Sequence, residues 1–131
     1  MTSQNQAIAN HYETNAREIY TTVVDDDGTT MDLTGASASY VLKESVETPD
    51  SQAAVTKTGT QGGDESQISF PDPANGSLVI HIETGDTTGV VDWSTETTAA
   101  VDLHHRLDVT DTDGNLVTTF TGSFELLEVG V

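Results

Sequence analysis

Val101-Asp102-Leu103-His104-His105-Arg106-Leu107-Asp108-Val109 is the stretch whose reading decides the fold. Val101, Leu103, His105, Leu107 and Val109 alternate with Asp102, His104, Arg106 and Asp108. A period of two places one set on each face of an extended strand, whereas a helix would need a spacing near 3.6. The same alternation runs through residues 77–83, with Leu78, Ile80 and Ile82 predicted inward and Val79 and His81 outward. It recurs in Ala36, Ala38, Tyr40 and Leu42 against Ser37, Ser39 and Lys43, interrupted by Val41.

Around these runs the chain reads as strands and turns. Residues 17–24 (REIYTTVV) are β-branched and aromatic and predict a first strand, closed by Asp25-Asp26-Asp27-Gly28. Short strands are expected at 53–58, an edge marked by Lys57, and at 66–70, ended by Pro71-Asp72-Pro73. Asp113-Gly114 suits a tight turn into 116–120, and Gly122 precedes a last strand at 124–129. In the loop 85–98, Val90, Val91 and Trp93 are expected to cover one end of the core. About seven strands and no long helix predict an all-β fold, a two-sheet β-sandwich. Residues 16–131 form its single domain. The polar residues 1–15 are read as a flexible or partner-bound N-terminal arm, with a short helix around 7–12 as the other option.

Twenty-two carboxylates face only four basic side chains, Arg17, Lys43, Lys57 and Arg106, for a net charge of -18 and a pI near 4.1. Repulsion among them acts over roughly 8 Å at 0.15 M salt and roughly 3 Å at molar salt. The near-removal of lysine, with the apolar strand pattern intact, points to concentrated salt. Direct nucleic-acid binding is excluded by the lack of clustered Lys and Arg. The absence of cysteine excludes disulfides and thiolate metal sites. No apolar run approaches the ~20 residues of a membrane helix, and MTSQNQAIANHYETN is no signal peptide, so membrane insertion is not expected.

The acidic turns are the weak cation candidates: Asp25, Asp26 and Asp27 in one, Asp111 and Asp113 in the other. Neither matches the twelve-residue calcium loop with its terminal glutamate, so turn chemistry is the expected role, with weak cation association over the surface. His104 and His105 point to opposite faces of a strand and cannot readily share a metal; His105 has core parity. No nucleophile elbow and no phosphate-binding glycine loop occurs, so the chain is expected to be non-enzymatic and to need no cofactor. For partner contacts the candidates are Trp93 and, on the arm, Ile8 and Tyr12, since aromatic and aliphatic anchors outweigh rim charges.

Thr22-Val23-Val24-Asp25-Asp26-Asp27-Gly28 followed by Met31-Asp32-Leu33-Thr34-Gly35-Ala36 resembles the opening of the immunoglobulin-like N-terminal domain of siphophage baseplate upper proteins, also found as small tailed-virus structural proteins. Residues 76–82, 105–114 and 116–124 resemble that family's middle strand, penultimate hairpin and closing pair, and tyrosines usually stand where this chain has His104-His105. The resemblance implies an immunoglobulin-like sandwich acting as a structural subunit of a virion. With the charge, it implies a haloarchaeal tailed virus whose tail, baseplate, connector or capsid decoration is built from copies of this chain and larger virion proteins. The alternative is a carbohydrate- or receptor-binding module using Trp93 with Asp92 and Glu96.

Overall fold

The computed structural model describes residues 4–25 and 27–129; Asp26 of the acidic turn, the first three residues of the predicted arm and the last two of the predicted domain lie outside. The strands are β1 (Gln4–Asn5), β2 (Ile8–Tyr12), β3 (Arg17–Thr22), β4 (Ser37–Lys43), β5 (Val55–Thr60), β6 (Ile68–Asp72), β7 (Ser77–Ile82), β8 (Ala100–Thr110) and β9 (Leu116–Leu127). One sheet runs β1-β9-β8-β4-β5, with β2 continuing β1 along the same side of β9; the other runs β3-β7-β6. Counting β1 and β2 as one interrupted strand gives five strands facing three. The order matches the G-F-C-C′ and B-E-D sheets of an immunoglobulin-like sandwich, with the N-terminal segment parallel to the last strand.

The alternation does what its period demands. Leu78, Ile80 and Ile82 from β7 and Leu103, Leu107 and Val109 from β8 are all buried, packed with Tyr40, Leu42, Phe120 and Phe124. Val79, predicted outward, is also buried. It lies on the middle strand of its sheet, opposite Tyr20 on one side and Ser69 on the other, so its neighbours cover it. Val41 and Lys43 are buried on the outer face of β4, where residues 44–54 fold back and Asp50 reaches Lys43 and Arg106. Strand β9 is continuous through Gly122, which pairs opposite His105, so the two closing segments expected from sequence are one long strand.

The N-terminal expectation needs correction. Residues 4–12 are neither a free arm nor a helix; they pair in parallel with β9, Gln4 opposite Phe120 and Ile8 opposite Phe124. Between Ile8 and His11 the register slips by one residue. Asn10 takes a φ of 59° there, a left-handed conformation that asparagine tolerates better than most residues. The bulge shifts the parity, so both Ile8 and His11 turn inward although they are three apart.

Two glycines are required by their surroundings. Gly76 has φ 76°, and a Cβ there would sit 2.6 Å from the Val23 carbonyl oxygen. At Gly59 a Cβ would meet the Ile68 carbonyl oxygen at 2.4 Å, so this residue lets β5 approach β6 where the two sheets curl together.

Candidate interaction surfaces

The three residues expected to make partner contacts fall in different settings. Ile8 is an element of the chain's own core, with only 9% of its surface exposed, so it is not available to anchor on a neighbour. Tyr12 is exposed, at the end of β2. Trp93 is half-buried, packed with Val90 and Val91 against the end of the core, as the loop reading expected. Its indole Nε1 donates to Glu13 Oε2 at 2.8 Å, and the Thr87 hydroxyl donates to the Glu13 carbonyl at 2.6 Å. The loop is thus tied to the end of β2. Asp92, the partner considered for a sugar site, accepts from the backbone N–H and the hydroxyl of Ser94. Asp92 and Glu96 border a groove of about 400 Å³ floored by Val90, Val91, Val101 and Leu103.

The acidic turns share one internal chemistry. Asp25 accepts from the Asp27 and Thr29 amides, and Asp111 accepts from the Asp113 and Asn115 amides. Gly28 and Gly114 follow with positive φ. The amide of Asn115 above all holds the Asp111 carboxyl below the usual carboxylate range. Asp25 and Asp111 therefore stabilise turns, and among the described residues no three His, Asp or Glu side chains converge on a common point.

His105 sits at the centre of the sandwich. Its Nε2 faces the Gln6 carbonyl, which can only accept, so Nε2 carries the proton and Nδ1 accepts from the Tyr40 hydroxyl at 2.9 Å. Phe120 and Phe124 enclose the ring, with centroids 4.9 and 5.7 Å away. This neutral tautomer is satisfied on both nitrogens, and burial pushes its pKa below the ordinary value. The pair ties two neighbouring strands of the larger sheet, β4 and β8, inside the core. His11 packs edge-on to Phe124, its pKa lowered by burial and then by the charge of Arg17. His104, on the opposite face of β8, is lowered by burial and by Lys43 and Arg106.

One constellation was not visible in the sequence. On the outer face of the β3-β7-β6 sheet, Ser69 Oγ lies 2.8 Å from His81 Nε2, and His81 Nδ1 lies 3.6 Å from Glu18 Oε1. A serine, a histidine and a carboxylate in a row suggest nucleophilic catalysis, but an acyl-transfer site also needs amide donors for the developing oxyanion. The Phe70 amide, next after the serine, is bound to Glu65, and the following residue is Pro71, which has no N–H. The trio is a cross-strand ladder. Tyr20 extends it, its hydroxyl bonded to Glu18 and the residue 66% exposed.

The basic side chains all reach across the fold. Lys57 lies on an edge strand, β5, as the sequence predicts; its side chain is buried and pairs with Asp86 at 2.6 Å, joining β5 to the loop after β7. Burial would raise the Asp86 pKa, but hydrogen bonds from Lys57 and the Glu83 amide, with the Lys57 charge, bring it below the ordinary value. Lys43 and Arg106 both bind Asp50, whose carboxyl is held at about 2, chiefly by Arg106. Arg17 donates to the Ala9 carbonyl, linking β3 to β2.

The chain is thus an all-β sandwich domain with the character of a structural or interaction module. Its sequence matches no known protein family and no curated protein.

Proposed function

We propose that this chain is a non-enzymatic structural subunit of a tailed-virus particle, in its tail, baseplate, connector or capsid decoration, assembling by protein–protein contacts in concentrated salt. The reading is supported by the resemblance of residues 22–28 and 31–36 to the opening of that virion family, in a chain that folds as an immunoglobulin-like sandwich. Asp32-Leu33-Thr34-Gly35 leads from β3 into β4, with Leu33 fully buried and Asp32 accepting from the Thr34 amide at 2.9 Å. Such sandwiches host many activities, so the fold by itself favours none. A virion role is favoured among them by the family-like opening together with a surface dominated by carboxylates, suited to a particle exposed to brine.

The test is mass spectrometry and electron microscopy of purified particles, joined to sedimentation of the isolated chain at 2 to 3 M salt. A fixed copy number set by a symmetry axis is expected. Absence from particles, or a monomer that binds cell-surface glycans, would overturn the proposal in favour of a recognition module.

A further inference from the structure

The geometry points to a specific contact: two copies pair antiparallel through the free edge of β3, on a twofold axis at Tyr20, extending the three-stranded sheet across both. The inference rests on the self-assembling reading above and names its interface. Strand β3 pairs with β7 over six residues without a register shift. The Val23 amide donates to the Gly76 carbonyl, which fixes Arg17, Ile19, Thr21 and Val23 as the residues facing β7. Glu18, Tyr20 and Thr22 therefore turn their N–H and C=O groups to the other side. Among the described residues nothing pairs with them there.

The other edges are blunted. On β5 the Thr58 amide is bound by the Gln67 side chain and the Thr60 amide by the Asp64 carbonyl. Edge β6 has the Phe70 amide on Glu65, then Pro71. Along β2 a bulge breaks the edge, and the Asn10 amide and Ala9 carbonyl are held by Glu125 and Arg17. Natural sheets protect edges by such devices, and β3 has no proline or bulge.

A second copy is the occupant that fits. Centring on Tyr20 sets Glu18 opposite Thr22 of the second copy and Tyr20 opposite its own equivalent, each opposed pair exchanging two hydrogen bonds. Like charges do not face each other, whereas centring on Glu18 would oppose two carboxylates. Both Tyr20 rings, held by Glu18, lie on the same outer face and meet at the axis.

The chain lacks cysteine, so one introduced thiol reports on one position. In about 3 M KCl, Tyr20→Cys should be joined into a covalent dimer by a thiol cross-linker spanning about 8 Å, because facing Cα atoms are about 5.5 Å apart. Glu18→Cys should not, since its two copies stand about four residues, or ~13 Å, apart along the strands. Tyr20→Pro removes an outward N–H while leaving the β7 ladder, and should raise the dimer dissociation constant about tenfold or more with the melting transition retained. Equal cross-linking of both cysteine variants, or none, with the wild-type chain still oligomeric, would overturn the β3 contact and leave the assembly reading standing. A wild-type chain that stays monomeric across concentration and salt would overturn both. A heterologous strand is the conclusion if Tyr20→Cys joins only to another virion protein.

Discussion

Removal of residues 1–12 is the sharpest test of how the sandwich is held together. Ile8 and His11 fill the side of β9 that Phe120, Phe124 and Leu126 present, and all three of those are almost wholly buried. Truncating a buried isoleucine to alanine costs about 2–5 kcal/mol, and the small exposure of Ile8 at an edge places it at about 2–4. For a domain of this size, each kcal/mol moves the melting temperature by about 3–5 °C, so Ile8→Ala should lower it by about 6–20 °C. The full deletion also removes the His11 ring, the bond from the Gln6 amide to the Thr121 carbonyl at 2.8 Å and the Gln6 carbonyl that satisfies His105. Together these exceed about 5 kcal/mol, the lower end of ordinary domain stabilities, so the truncated chain should be unfolded or nearly so at 25 °C. Circular dichroism melts and urea titrations in about 3 M KCl measure both. Tyr12→Ala, at an exposed side chain, is the control and should change stability by less than about 0.5 kcal/mol. A truncated chain melting within a few degrees of the full one would refute the reasoning and return these residues to the status of an arm.

Lowering salt from molar to about 0.1 M should lower the melting temperature, because the screening length grows from roughly 3 to roughly 10 Å; an equal or higher value at low salt would show that the carboxylate surface imposes no such dependence. At molar salt, stability should fall as pH drops from 7.5 towards 5.5. His11, His104 and His105 all have lowered folded-state pKa values, so the unfolded chain takes up protons first below about 6.5, and the stability present above that value is lost towards the folded values. His105→Gln should flatten that slope in pH-dependent melts. Gly76→Ala should cost more than Gly62→Ala: both have positive φ, but only at Gly76 would the new Cβ strike backbone, and urea midpoints should separate the two.

Period-two runs made β7 and β8 legible because each is flanked by strands on both sides and buries one complete set of alternate residues. The turn roles of Asp25 and Asp111 were legible for a similar reason: an aspartate before a glycine acts within its own few residues. The N-terminal strand was not. Its bulge at Asn10 breaks the alternation, and its partner β9 lies more than a hundred residues away. Ile8 and His11 stand three apart, a helical spacing and not a strand's period of two, so a scan for periodicity does not read them as a strand. Lys57 marked β5 correctly as an edge strand, but its burial was not legible, because only the loop carrying Asp86 gives it an inward partner. The Glu18, His81 and Ser69 ladder joins three strands, and no local pattern could have assembled it.

The placement of the four cations bears on how such a chain would respond to concentrated salt. Lys57 spans from one sheet to the loop leaving the other, Arg17 joins β3 to β2, and Lys43 with Arg106 pins the connection 44–54 to the outer face of the larger sheet. Every cation thus joins one strand to a different segment of the chain. Lys43 and Lys57 are almost fully enclosed, and of their partners Asp86 is largely covered while Asp50 is half exposed; covered pairs are screened far less than exposed ones. Salt therefore acts unequally: it suppresses repulsion among the exposed carboxylates while leaving the more covered Lys57–Asp86 contact largely intact. An acidic surface also offers little charge attraction between copies. Contacts that remain effective there must be short-ranged and directional, and backbone hydrogen bonding along an open strand edge such as that of β3 meets both conditions.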